Sequence, residues 1–76
     1  MGKGKPQIQN TIRVLRFHAG EMTQAQLAEK VGVTRQTIVA IEQGRYSPSL
    51  EVAFRIADAF GVPITDVFQW GTAAEA

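Results

Sequence analysis

From Thr23 to Gln43 the chain reads TQAQLAEKVGVTRQTIVAIEQ, and much of its hydrogen-bonding chemistry is gathered there. Thr23 and Thr34 each stand one residue ahead of a short helical pattern, and Gly32 separates the two patterns. A threonine at that position accepts a hydrogen bond from a backbone amide that the helix leaves free. In the second pattern Ile38 and Ile41 fall on one side, while Gln36, Val39, Ala40 and Gln43 fall toward the other. One face is therefore built to be buried and the other to meet a partner. Two short helices joined this way outline a helix-turn-helix, the unit that lays its second helix in the major groove of DNA.

Other chemistries find no support. There is no cysteine, so neither a disulfide frame nor a thiolate metal site is expected. His18 is the single histidine and has no carboxylate cluster at ligand spacing, so no metal is expected. No nucleophile, base and orienting group fall into a set, so the chain is not expected to be an enzyme or to carry a cofactor. Gly2-Lys3-Gly4-Lys5 is too short for a phosphate-binding loop and follows no strand.

The elements that must position these residues come from a small chain. Its 76 residues suffice for one domain, without room for a second, ligand-sensing one. A domain of this size buries only about 60% of the surface its unfolded chain exposes, so the core must be thin. Hydrophobic residues make up 45%, an ordinary globular share. No apolar run is long enough to span a membrane, and the N-terminus lacks the apolar core of a signal peptide, which points to the cytoplasm and the nucleoid.

Net charge is only +1, but it is polarised. Residues 1–20 carry Lys3, Lys5, Arg13 and Arg16 with no acid, and residues 21–50 are balanced. Residues 51–76 set Arg55 against Glu51, Asp58, Asp66 and Glu75. Such a chain can turn a basic face to a polyanion and its acidic end away.

Apolar periodicity predicts an all-α fold of five helices spanning residues 8–70, between a flexible basic arm at 1–7 and a frayed tail at 71–76. The first helix is expected from about Gln9 to Ala19, with Asn10 as a candidate cap and Ile8, Ile12, Leu15 and Ala19 on one stripe. Phe17 lies opposite that stripe, and the sequence does not say what it meets. The second helix covers about 24–31, opened by a Thr23–Gln26 capping box and closed by Gly32. The third covers about 35–43, with Thr34 as its cap and Gly44 beyond it. The fourth follows Ser49 with Leu50, Ala53, Ile56, Ala57 and Phe60 inward, and a fifth runs from about Ile64 to Gln69. No strand is predicted.

Counted from Gln24, a small residue stands fifth (Ala28), glycine ninth (Gly32) and apolar residues fifteenth and eighteenth (Ile38, Ile41). With Leu27-Ala28, Val33-Thr34-Arg35-Gln36-Thr37-Ile38, Ile41-Glu42-Gln43-Gly44 and Pro48-Ser49-Leu50, this resembles the Cro/repressor-type (Xre) helix-turn-helix family of bacterial and phage regulators. The resemblance covers about Ile12 to Phe68 and implies a five-helix, lambda-repressor-like DNA-binding domain.

It also implies roles. Arg35, Gln36, Val39 and Ala40 match base-reading positions. Their chemistry agrees: arginine pairs with guanine O6 and N7, glutamine with adenine N6 and N7, and small apolar groups pack on the thymine methyl. Gln24 matches a residue that bonds a phosphate and braces the first reading residue. Thr34, Thr37, Gln43, Arg45 and Tyr46 are expected near phosphates, which fix register but do not specify sequence. Lys3 and Lys5 of the arm are expected to touch phosphates too. Arg16 and Glu42 match an ion pair between the first and third helices, a structural role; Arg13 is left open between DNA contact and solvated surface.

Phe54, Phe68 and Trp70 are a surplus of aromatics near the C-terminal end. They either finish the core or, for Phe68 and Trp70 in particular, form a dimer interface. The expected function is a sequence-specific regulator, a repressor binding an inverted repeat in double-stranded DNA as a homodimer. The alternative is a protein-binding module, such as an antitoxin or adaptor, that grips a protein partner with the same scaffold.

Overall fold

The computed structural model describes residues 7–71. Five helices are present: α1 (Ile12–His18), α2 (Gln24–Val31), α3 (Arg35–Glu42), α4 (Leu50–Phe60) and α5 (Ile64–Val67). A three-residue strand precedes them, β1 (Ile8–Asn10), and another follows, β2 (Phe68–Trp70). The two strands pair antiparallel, with Ile8 opposite Trp70, Gln9 opposite Gln69 and Asn10 opposite Phe68. The fold is all-α with this ribbon closing its two ends.

The ribbon corrects three expectations. The first helix begins at Ile12 rather than Gln9, the last ends at Val67 rather than Gln69, and the strand-free reading fails at both termini. Helical periodicity is a local signal, whereas each strand here exists because its partner lies some sixty residues away. Two such short strands would be marginal alone. Their junctions with the helices are pinned: Thr11 N–H donates to Val67 O at 2.9 Å, and the Thr11 hydroxyl donates to Asp66 O at 2.6 Å. Asn10 does not cap α1 in the ordinary sense; its side-chain oxygen accepts from Ile12 N–H across a two-residue turn.

The core consists of Ile12, Leu27, Ala28, Val31, Ile38, Ile41, Ile56, Ala57 and Val67. Every helix contributes at least one residue. Ala28 sits in it where a larger side chain would hold α2 and α3 apart. The α1 stripe is narrower than expected. Ile12 is fully buried and Leu15 half-buried, but Ala19 is exposed at the helix end and Ile8 belongs to the ribbon. Leu50 also departs from the expected inward stripe of α4 and is 71% exposed. It occupies the first helical position, above the core, and borders an apolar hollow with Ile8, Pro48, Ala53, Ile64 and Phe68.

Candidate nucleic-acid interface

The pose of α2 and α3 is set by their ends. At the start of α2, Gln26 N–H donates to the Thr23 hydroxyl at 3.0 Å and Thr23 N–H donates to Gln26 Oε1 at 2.8 Å, a complete capping box. At its end Gly32 takes φ +86°, the left-handed conformation that reverses the chain into the turn. Thr34 then opens α3, accepting from Thr37 N–H at 3.1 Å. Its hydroxyl also lies 3.0 Å from that of Thr37. At the far end Arg45 N–H reaches Ala40 O and Gly44 N–H reaches Ile41 O, both at 3.0 Å, which closes α3 in a Schellman motif.

With Ile38 and Ile41 buried, the other face of α3 is turned outward. Arg35 and Gln36 are exposed in its first turn; Val39 and Ala40 are half-buried beside them. Gln43 and Arg45 are exposed just beyond the helix and bonded to each other, Arg45 Nε donating to Gln43 Oε1 at 2.8 Å. Tyr46 is exposed in the same turn. Thr37 is half-buried.

Behind this face lies a charged bracket. Arg16 Nε donates to Glu42 Oε2 at 2.7 Å, Arg16 Nη2 to Glu42 Oε1 at 3.1 Å, and Arg16 Nη1 to Met22 O at 2.8 Å. Both side chains are largely withdrawn from water, at 16% and 9% exposure. Gln24 Nε2 donates to the same Glu42 Oε1 at 3.3 Å. Glu42 thus collects donors from α1 and α2 and holds the last turn of α3 against both. Gln24 is expected from the sequence to brace a reading residue. Instead its amide is bonded to Glu42, and no hydrogen bond among the described residues joins it to Arg35 or Gln36.

A cleft of about 630 Å³ opens where α1, α2 and α3 meet, bordered by Arg13, Gln24, Arg35 and Gln43, with Glu21 on its rim. Sequence reasoning left Arg13 undecided. Its periodicity gave only the face of α1, and the tertiary fold is what brings Arg13 and Arg35 to one cleft. Among the described residues the ion pairs are Arg16–Glu42 and Arg55–Glu51. Arg13, Arg35 and Arg45 therefore keep their charge available to an anion. Lys3 and Lys5 lie outside the described residues. Phe68 is half-buried and packs against the core, whereas Trp70 is 79% exposed. No group of three metal-ligating side chains and no helix long and apolar enough to cross a membrane occurs among the described residues.

Comparison with known proteins agrees with this geometry. The profile of the HTH_3 helix-turn-helix family matches residues 12–67. A helix-turn-helix transcriptional regulator of Methanocaldococcus jannaschii, itself uncharacterised, is 62% identical over 47 residues, covering 62% of this chain and 71% of the relative. The cryptic phage CTXphi transcriptional repressor of Vibrio cholerae is 38% identical over 56 residues, covering 74% of this chain and 50% of the repressor. Among solved structures, a candidate DNA-binding protein of Bacteroides fragilis superposes with a TM-score of 0.70 at 24% identity, over 82% of this chain and 98% of its own, a likeness of fold. The chain belongs to the helix-turn-helix family of the Cro/repressor (Xre) type, whose members are DNA-binding regulators of transcription and not enzymes.

Proposed function

We propose that this regulator is a repressor that binds an inverted repeat as a homodimer, one α3 in each of two successive major grooves. The observation that carries the reading is the outward row of Arg35, Gln36, Val39 and Ala40 on a helix locked from behind through Glu42. Arg35 and Gln36 supply bidentate donors and acceptors for guanine and adenine, and the two small apolar residues allow the backbone to come close to the base edges. Thr34, Thr37, Gln24, Gln43, Arg45 and Tyr46 are the proposed phosphate contacts around that row, and Arg13, on the cleft it shares with Arg35, adds another. Lys3 and Lys5 add charge from the N-terminal arm.

Repression follows from occupancy: a body seated on a promoter blocks polymerase without needing an activating contact. The resemblance to a phage repressor supports that direction of control. Dimerisation is supported by the exposed Trp70 and Leu50 beside the apolar hollow, since a fold this small gains by covering such a surface. A two-fold dimer would set its reading helices about 34 Å apart, one turn of DNA.

Selection of bound sequences from a random duplex pool tests the reading, run with wild type and Gln36→Ala in parallel. The expected result is an inverted repeat that relaxes at one position per half-site in the variant. An unenriched pool, with only weak salt-sensitive binding, would reject it in favour of the protein-binding module.

A further inference from the structure

Asn10, the last residue of β1, is half-buried, and its side chain is used at both ends. Its Oδ1 accepts from Ile12 N–H at 3.1 Å, turning the chain into α1. Its Nδ2 donates to the carbonyl of Ile41 at 3.0 Å, across 31 residues of sequence. Ile41 lies in the last turn of α3, and its carbonyl already accepts from Gly44 N–H at 3.0 Å. The Asn10 bond is therefore not required to satisfy an orphaned helix end. What it adds is a tether between the ribbon and α3.

Side chains from three elements grip that one turn: Arg16 from α1 and Gln24 from α2 at Glu42, and Asn10 from the ribbon at Ile41. The reading end is different. Arg35 and Gln36 are exposed, with no side-chain hydrogen bond to another described element. They stand about 7.5–9 Å along the helix axis from Ile41 at about 1.5 Å per residue. A tilt at the gripped end is thus delivered to the base-reading side chains, where bidentate bonds weaken steeply with misalignment. Asn10 is also paired through its backbone register to Phe68, so the tether joins α3 to the strand that carries Trp70.

We propose that Asn10 is a positioning residue for DNA reading: by holding the Ile41 carbonyl it fixes the tilt of α3 against the ribbon and sharpens base discrimination without touching DNA. The inference rests on α3 being the reading helix.

Two variants separate the tether from the turn. Asn10→Asp keeps an oxygen for the Ile12 amide and removes the donor. Asn10→Ser keeps a shorter acceptor and cannot span to Ile41. Each is compared with wild type on the selected operator and on a scrambled duplex of equal length, at several salt concentrations. For the neutral Asn10→Ser, affinity for the scrambled duplex and its salt slope should stay at wild-type values, since no charge changes and no phosphate contact is lost; Asn10→Asp adds a negative charge and is read by its operator-to-scrambled ratio alone. The operator-to-scrambled ratio should fall about tenfold, the size of one bidentate base contact.

Either variant that folds and keeps the wild-type ratio overturns the proposal. A readout on the unaltered protein guards against misfolding of both. In the operator complex the Asn10 side-chain amide protons, followed by NMR, should exchange slowly with water; fast exchange there also overturns it. A wild type with no preference for any duplex would remove the DNA-reading assignment itself. A discriminating wild type with equally discriminating variants removes only the role of Asn10.

Discussion

At the scale of single residues, charge and hydrogen-bonding geometry make separable contributions. Arg35→Lys keeps the positive charge but loses the planar fork that matches guanine. Discrimination at one base pair of each half-site should drop by about 1–3 kcal/mol, with the salt slope unchanged. Competition binding against operators altered at that position reads the difference. Arg13→Ala should do the opposite: affinity falls alike on operator and scrambled duplex, and the salt slope shrinks by about 0.9 for one lost phosphate contact. An unchanged slope would return Arg13 to the solvated surface. Glu42 is neither kind of contact. Its carboxylate neutralises Arg16 and accepts from Gln24 in a largely enclosed setting. Glu42→Gln leaves the guanidinium without its counter-charge and should destabilise the fold by about 3 kcal/mol, the low end for a broken buried pair because water still reaches one side. Urea unfolding measures it, and an unchanged midpoint would show that the bracket contributes nothing to stability.

At the scale of elements, the turn between α2 and α3 decides whether the pair can be presented at all. Gly32 combines a left-handed backbone with one close neighbour, the tip of Arg55. A Cβ there would lie 3.3 Å from Arg55 Nη1, and that same Nη1 donates to Val31 O at 3.1 Å. Gly32→Ala therefore strains the backbone and presses on the arginine that caps the end of α2. A loss of about 1–2 kcal/mol is expected, observed as a lowered thermal midpoint. Glu21, at φ +59°, is the one non-glycine residue with a left-handed backbone among those described. It lies in the turn after α1 and lines the cleft that Arg13 and Arg35 share. Glu21→Gly relieves that backbone and removes a carboxylate from the cleft those arginines line, so both stability and DNA affinity should rise. A fall in affinity would mean the carboxylate orients one of the arginines.

At the scale of the whole molecule, the chain carries its chemistry on one side and its spare apolar surface near its joined ends. Ile8, Leu50, Ile64, Phe68 and Trp70 border two adjoining hollows lined almost wholly by apolar groups. Trp70 contributes the largest exposed side chain there, and aromatic anchors dominate interface energetics. Trp70→Ala should shift sedimentation equilibrium toward monomer. It should weaken binding to a full inverted repeat while leaving binding to an isolated half-site unchanged. A variant that still sediments as wild type would rule out Trp70 as an interface anchor.

What the sequence determines by itself is the helix-turn-helix and the direction in which it points. Thr23 with Gln26, Thr34, Gly32 and the spacing of Ala28, Ile38 and Ile41 are local devices, each acting within a turn or two of its own position. Local pattern therefore suffices to read α2 and α3 and the outward placement of Arg35 and Gln36. The tertiary structure decides what depends on partners distant in the chain. The ribbon forms because Ile8–Asn10 meets Phe68–Trp70, and no periodicity within either segment announces it. Leu50 and Ala19 carry the right residue types for a buried stripe, yet each stands at a helix end beyond the reach of the core. Asn10 reads as a cap because its preference for turns is local; its bond to Ile41 exists only once β1 lies against the last turn of α3. Packing likewise brings Arg13 and Arg35 to one cleft. Periodicity specifies which face of each helix turns inward, but the relative placement of two faces is a property of packing.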